Sequence, residues 1–323
     1  MNRKNLLKKL LFTLAFIFIF MNVIAFFHAY KFTHYTRENI VKTNSMQLST
    51  LDKLGIVFFG INNPRPENKS LPKQNFEVVK LQSNKHLEGW FIKADSAKGT
   101  IILFHGYGGE KSSMLDRSDE LNQLGYNILL VDFMGSGGSE GLQTTIGYKE
   151  AEEVKTCYDY LKTIREKNIY LLGTSMGAVA IMKAMQDYDI SPTGIILECP
   201  FGSMYQATCA RFKIVKVPTF PMAGLLVFWG GIQNGFWAFG HNPTEYAKAI
   251  KCNTLLIYGE HDPKVSKSEI DEIYANLNGK KVLNTFPLAG HADYLTNYRK
   301  EWIQDIQNFL LTAQPFAQVS SER

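Results

Sequence analysis

The chain has 323 residues, of which 45% are hydrophobic and 20% charged, and a formal net charge of +5. That length suits one large α/β domain plus an anchor, and the composition excludes a mostly disordered chain. The charge excludes a nucleic-acid partner once it is located: Arg3, Lys4, Lys8 and Lys9 crowd the N-terminus, and the remainder carries 31 Lys+Arg against 30 Asp+Glu.

Those four cations precede an uncharged run from Leu10 to Tyr30. Twenty-one helical residues advance about 31 Å, enough to cross a hydrocarbon core of about 30 Å. The run is longer than a signal-peptide core and no A-x-A site follows, so residues 1–30 read as an uncleaved membrane anchor. The basic flank favours a cytoplasmic N-terminus, which puts the rest of a single-pass protein on the extracytoplasmic side. Residues 31–74 read as a connector, 75–312 as the main domain and 313–323 as a tail. The four cysteines, Cys157, Cys199, Cys209 and Cys252, match no zinc or C-x-x-C spacing and read as small buried hydrophobes. The spacing does not decide for or against a disulfide.

From Phe76 the pattern becomes regular. Phe76–Leu81 and Leu87–Ile92 read as an antiparallel pair. Thr100–Phe104, Asn127–Phe133, Ile169–Leu172, Gly194–Leu197 and Thr254–Tyr258 are short apolar runs, as strands buried on both faces require. Lys281–Phe286 follows. Helical stretches alternate with them at Ser113–Gln123, Tyr148–Lys167, Met176–Gln186, Ser266–Leu277 and Tyr298–Leu311. The alternation predicts an α/β fold: a mostly parallel central sheet with helices on both faces.

One interval is too long for a connection. The segment at about 200–251 separates two central strands, and Val217 to Thr244 carries no Lys, Arg, Asp or Glu. It reads as a helical lid insertion, cut by Pro218, Pro221 and several glycines into pieces too short for a second span. One reading gives it a core of its own. Another makes its aromatics, Phe228 and Trp229 among them, the wall of an apolar acyl pocket that favours medium-chain esters over acetyl esters.

Gly173-Thr174-Ser175-Met176-Gly177 is a G-x-S-x-G motif set between the strand Ile169–Leu172 and the helix that opens at Met176. A strand-to-helix turn this sharp exposes its central hydroxyl, which makes Ser175 the candidate nucleophile. Serine needs a base. Of His28, His34, His86, His105, His241, His261 and His291, the last lies in a loop before the final helix and fits the chain order Ser, acid, His. Asp262, in Gly-Glu-His-Asp-Pro after the strand Thr254–Tyr258, is the candidate acid, with Glu260, Asp293 and Glu198 as rivals. Two N–H donors are expected to face the developing oxyanion: Met176, and Tyr107 in the loop His105-Gly106-Tyr107-Gly108-Gly109. His105 reads as a structural hydrogen-bonder. The glycines at 135, 137 and 141 do not fit a phosphate loop.

These motifs together, HGYGG, DFMGSGGSEG, GTSMG, GEHD and GH, resemble the α/β-hydrolase superfamily over about Phe76 to Leu311, and most of all its serine-aminopeptidase-like and monoglyceride-lipase-like esterases. Those proteins commonly carry Arg after the D-aromatic pair, where this chain has Met134. The resemblance implies acyl transfer to water with no metal and no organic cofactor, on a lipid or other small-molecule ester. A peptidase, thioesterase or acyltransferase on the same residues is the alternative within enzymes. A catalytically silent binding module of the same fold is the alternative outside them.

Overall fold

A computed structural model describes residues 3–37, 55, 56 and 58–313. Much of the expected connector (38–54) and all but the first residue of the tail lie outside the described residues. The chain divides into two compact units: Met1–Arg65 with Met204–His241, and Pro66–Ser203 with Asn242–Arg323.

The second unit is built on one eight-stranded sheet. Its strands are β1 (Phe76–Gln82), β2 (His86–Ile92), β3 (Thr100–Phe104), β4 (Asn127–Asp132), β5 (Ile169–Thr174), β6 (Gly194–Glu198), β7 (Asn253–Gly259) and β8 (Lys281–Phe286). They lie in the order β8-β7-β6-β5-β3-β4-β2-β1. β2 is antiparallel to both of its neighbours, and every pair from β4 to β8 is parallel. This is the α/β-hydrolase fold. The five strands β3 to β7 are apolar because both of their faces are covered: Ile101, Ile102, Leu103 and Phe104 are all fully buried. Ile101, Leu103, Ile128, Leu130, Tyr170 and Leu172 share one core cluster with Trp302, Ile306 and Phe309 of the closing helix Arg299–Ala313. The alternate residues, Ile102, Phe104, Leu129 and Leu171, point to the opposite face by the two-residue period of a strand. Helices Glu150–Thr163 and Met176–Asp187 pack on each other.

Parallel pairing puts the carboxyl ends of β3, β5, β6, β7 and β8 on one edge. The residues that follow them, His105, Ser175, Cys199, Asp262 and His291, therefore emerge together, at the edge where open α/β sheets carry their chemistry.

The first unit is mostly helical, with one short parallel pair between Tyr35–Thr36 and Asn63–Pro64. Its N-terminal helix, Arg3–Thr33, runs for 31 residues and, among the described residues, is the one helix long and apolar enough to cross a membrane. The insertion contributes two further helices, Met204–Ile214 and Met222–Asn234. The second lies along the N-terminal helix. Trp229 Nε1 donates to Asn22 Oδ1 (3.1 Å), Gln233 Nε2 donates to the Phe26 carbonyl (2.8 Å), and Asn234 Nδ2 donates to Thr33 Oγ1 (3.1 Å). Trp229 also meets Phe26 edge-to-face, with centroids 5.2 Å apart. The insertion anticipated at about 200–251 is thus a helical piece at Met204–His241 that shares a unit with the N-terminal helix, while its flanks belong to the sheet unit. Trp229, read from sequence as a possible pocket wall, spends its indole N–H on the N-terminal helix.

Candidate active site

Ser175 sits between the end of β5 and the first residue of the helix Met176–Asp187, at φ 53° and ψ −110°. A non-glycine residue in that region is strained by about 1–3 kcal/mol and persists only where its surroundings hold it. Part of the hold is visible: the Ser175 amide donates to the Glu198 carbonyl on the neighbouring strand (2.8 Å). The flanking glycines are dictated by space. A Cβ on Gly173 would lie 2.4 Å from the Gly177 carbonyl carbon, and one on Gly177 would lie 2.2 Å from the Phe104 carbonyl oxygen. The chain can turn this tightly only with hydrogen at both positions.

His291 lies in the loop after β8. Its Nε2 is 3.0 Å from Ser175 Oγ, and its Nδ1 is 2.6 Å from Asp262 Oδ2. With Nδ1–H donated to the carboxylate, Nε2 is left to accept the serine proton. Asp262 is fixed from its other side, where Oδ1 accepts the backbone N–H groups of Lys264 (2.7 Å) and Val265 (3.1 Å). Its side chain is fully buried, while that of His291 is 13% exposed. Burial pulls the His291 pKa down, but Cys199 and the hydrogen-bonded Asp262 carboxylate beside it outweigh that effect and hold it above the ordinary value of 6.5.

The three rival acids are otherwise engaged. Glu260 is exposed and accepts from Thr285 Oγ1 (2.8 Å). Asp293 is exposed and meets Asn297 at 3.5 Å. Glu198 is buried, but its carboxylate accepts from Arg117 Nε (2.9 Å), Trp302 Nε1 (2.8 Å) and Thr174 Oγ1 (2.7 Å).

The two expected N–H donors lie close to the serine in the fold. Met176 opens its helix, so its amide has no acceptor within that helix. The loop His105–Gly109 passes against the serine turn, since a Cβ on Gly106 would stand 3.6 Å from Ser175 Cβ, and Tyr107 is the next residue. His105 is fully buried. Its Nε2 accepts the Phe133 amide (3.1 Å) and its Nδ1 lies 2.8 Å from the Gly106 carbonyl, so it is a neutral ring whose Nδ1–H ties the loop to itself. Burial pulls its pKa down, which suits that state. The glycine-rich stretch after β4 wraps a carboxylate of its own. Asp132 accepts the amides of Lys111 (2.6 Å) and Gly138 (2.7 Å) and pairs with the buried Lys111 ammonium. Met134 is buried, and its amide donates to Glu153 (3.0 Å).

Two residues at the site carry no sequence signal. Cys199 follows β6 at φ 41°, and its Sγ lies within 4.8 Å of ligand atoms of both Asp262 and His291. Among the described residues these three form the one set spaced to grip a metal ion. Arg117, besides its ion pair with Glu198, donates from Nη2 to the Ala292 carbonyl (3.0 Å), next to His291. It thereby ties the loop of the histidine to the strand beside the serine. All four cysteines are free thiols, Cys157 and Cys199 buried and the other two half-buried.

The family model described as "Serine aminopeptidase, S33" matches residues 95–227. YqkD of Bacillus subtilis is 25% identical over 228 residues, which cover 69% of this chain and 75% of YqkD. Bovine lysophosphatidylserine lipase ABHD12 is 26% identical over 183 residues, which cover 54% of this chain and 45% of that protein. Among solved structures, an esterase of Pyrococcus furiosus superposes with a TM-score of 0.64 at 25% identity, covering 78% of this chain and 97% of the esterase. The chain is similar to esterase- and lipase-like α/β hydrolases, and its resemblance to the serine-aminopeptidase-like group extends over the segment that contains Ser175.

Proposed function

We propose that the chain is a serine esterase, with Ser175 as nucleophile, His291 as general base and Asp262 as the acid that orients it. The observation that carries this reading is the continuous hydrogen-bonded chain from Asp262 through His291 to a strained, glycine-flanked serine. Ser175 Oγ attacks the ester carbonyl carbon while His291 Nε2 takes its proton. The amides of Met176 and Tyr107 stabilise the oxyanion. On collapse the alkoxide leaves with the proton from His291, and an acyl group stays on Ser175. Water repeats the sequence and frees the acid. Asp262 keeps the productive tautomer and stabilises the imidazolium between the two proton transfers.

The substrate class in this reading is an apolar acyl ester presented at a membrane, with the chain as a single-pass protein and its hydrolase unit outside the cytoplasm. It draws on the apolar N-terminal helix and on the lipase name of one relative. A peptidase is the second reading, favoured by the description of the matching family model. Fluorophosphonate labelling of the full chain tests the nucleophile: adduct mass on the peptide carrying Ser175 is expected, and labelling that survives Ser175→Ala would sink it. p-Nitrophenyl esters of increasing chain length, run beside aminoacyl anilides, separate the two substrate classes. A mature N-terminus beyond residue 25, read by mass spectrometry, would replace the anchor with a signal peptide.

A further inference from the structure

Resting on the reading of the N-terminal helix as a membrane span, we propose that the insertion helix Met222–Asn234 is immersed beside that span, its outer face in lipid hydrocarbon. The case begins with length. Every residue of the N-terminal helix from Arg3 to Phe20 is exposed. From Leu10 to Phe20 the helix advances only about 16 Å, half of a hydrocarbon core of about 30 Å. Starting at Leu6, with Lys8 and Lys9 snorkelling to the headgroups, raises this to about 22 Å, still short of about 30 Å. The missing length has to come from residues after Phe20, and those are the residues that the insertion helix packs against.

The register fixes the direction. Asn22 pairs with Trp229 and Phe26 with Gln233, so four residues on one helix match four on the other and the two run parallel. The insertion helix therefore stays beside the span, and a bilayer that closes around Met21 to Tyr30 closes around it too. Its chemistry suits that depth. It contains no charged residue; Trp229, Gln233 and Asn234 each donate within the unit, the amide oxygens of Gln233 and Asn234 are buried away from the outer face, and Phe228 and Ile232 remain exposed on it. An open cleft of about 490 Å³ between the two helices is lined by Phe18, Ile19, Phe26 and Trp229 among others. Water gains little there, whereas a lipid acyl chain that fills the cleft keeps its apolar lining out of water. The opposing cost lies at the end of the preceding helix and in the turn after it, where Lys213 and Lys216 are exposed among Ile214, Val215, Val217 and Phe220 and their stems must snorkel to a headgroup layer.

The test uses the full chain in phosphatidylcholine vesicles with brominated acyl chains, and two tryptophan reporters at exposed apolar positions: Phe16→Trp (69% exposed) in the free arm and Ile232→Trp (56% exposed) on the insertion helix. The emission added by each reporter is expected to be quenched by the brominated lipid and spared by aqueous iodide. If Phe16→Trp behaves so while Ile232→Trp is quenched by iodide alone, the span stands and the immersion of the insertion helix is overturned. If neither reporter responds to brominated lipid, the span itself is wrong and the proposal goes with it. Phe228→Trp serves as a second insertion reporter should Ile232→Trp fail to fold, and the same two outcomes are read from it.

Discussion

β6 and β7 are neighbours, and each ends in a buried carboxylate at the same edge of the sheet. Glu198 closes β6 and Asp262 lies just past β7; both side chains are fully buried. Their partners set them apart. Glu198 faces a permanent cation, Arg117, and its remaining lone pairs accept from an indole and a hydroxyl. Asp262 takes two backbone amides on one oxygen and an imidazole on the other. A carboxylate already neutralised by a guanidinium has little field left with which to stabilise a passing imidazolium, whereas one held by neutral amides keeps its charge for that purpose. Placement at the sheet edge therefore does not make a general-base partner; the inventory of donors does.

The sharpest way to break this comparison is to neutralise each carboxyl in turn. Asp262→Asn keeps an oxygen to accept from Lys264 and Val265 but presents an amide to His291. We expect kcat to fall by about 10³-fold or more, through the wrong imidazole tautomer and an unstabilised cation, while the fold survives. Full turnover in Asp262→Asn, together with a collapse in Glu198→Gln, would reverse the assignment.

Glu198→Gln should act on stability first. It leaves Arg117 buried with the half-exposed Asp116 as its remaining ion-pair partner, and a buried charge stripped of its buried partner costs up to about 3 kcal/mol. Chemical denaturation is expected to show that loss. The effect on kcat should be much smaller, about tenfold at most for a residue that reaches the histidine only through the Arg117 contact with Ala292. A variant as stable as the wild type would mean that the Arg117–Glu198 pair contributes nothing net.

The contrast also shows what a sequence can reveal. The strands were legible because burial on both faces forces uninterrupted apolar runs such as Thr100–Phe104, and the serine turn because two glycines bracket it within five residues, Gly173 required by its contact with Gly177 and Gly177 by the Phe104 carbonyl at the end of β3. Ser175, Asp262 and His291 were legible as candidates because each sits in a short loop directly after a strand. What stayed hidden depends on partners far away in the chain. Glu198 differs from Asp262 through Arg117, 81 residues earlier, and nothing within the helix Leu115–Gln123 marks that arginine as anything but a surface charge. Cys199 was counted as a buried hydrophobe, and its place beside Asp262 and His291 comes only from the register of β6 on β7. The pairing of Asn22 with Trp229 spans 207 residues and leaves no periodic trace in either helix.

The smallest expected effect is a shift along the pH axis. In the proposed mechanism His291 must be neutral to accept the serine proton, so kcat/KM of the wild type should fall as pH drops through the histidine pKa of the free enzyme. Asp262 and Cys199 raise that pKa against the pull of burial, so the inflection should lie above 6.5. The sign for stability is the opposite. A histidine whose folded pKa is raised favours the folded state most below the unfolded pKa of about 6.5, and that contribution is lost as pH rises through the folded value. The wild type should therefore be most active where this one contribution to its stability has faded. In Asp262→Asn the share of the carboxylate is gone while burial and Cys199 remain, so the inflection of the residual activity should move to lower pH, and the histidine-linked part of the stability profile should shrink with it. Glu198→Gln uncovers the Arg117 cation, which Asp116 still pairs and which reaches the histidine loop at the Ala292 carbonyl rather than at the ring, so it should move the inflection in the same direction but by much less. If the two variants move it equally, the two carboxylates act on His291 alike, and the distinction drawn from their hydrogen-bond partners has to be abandoned.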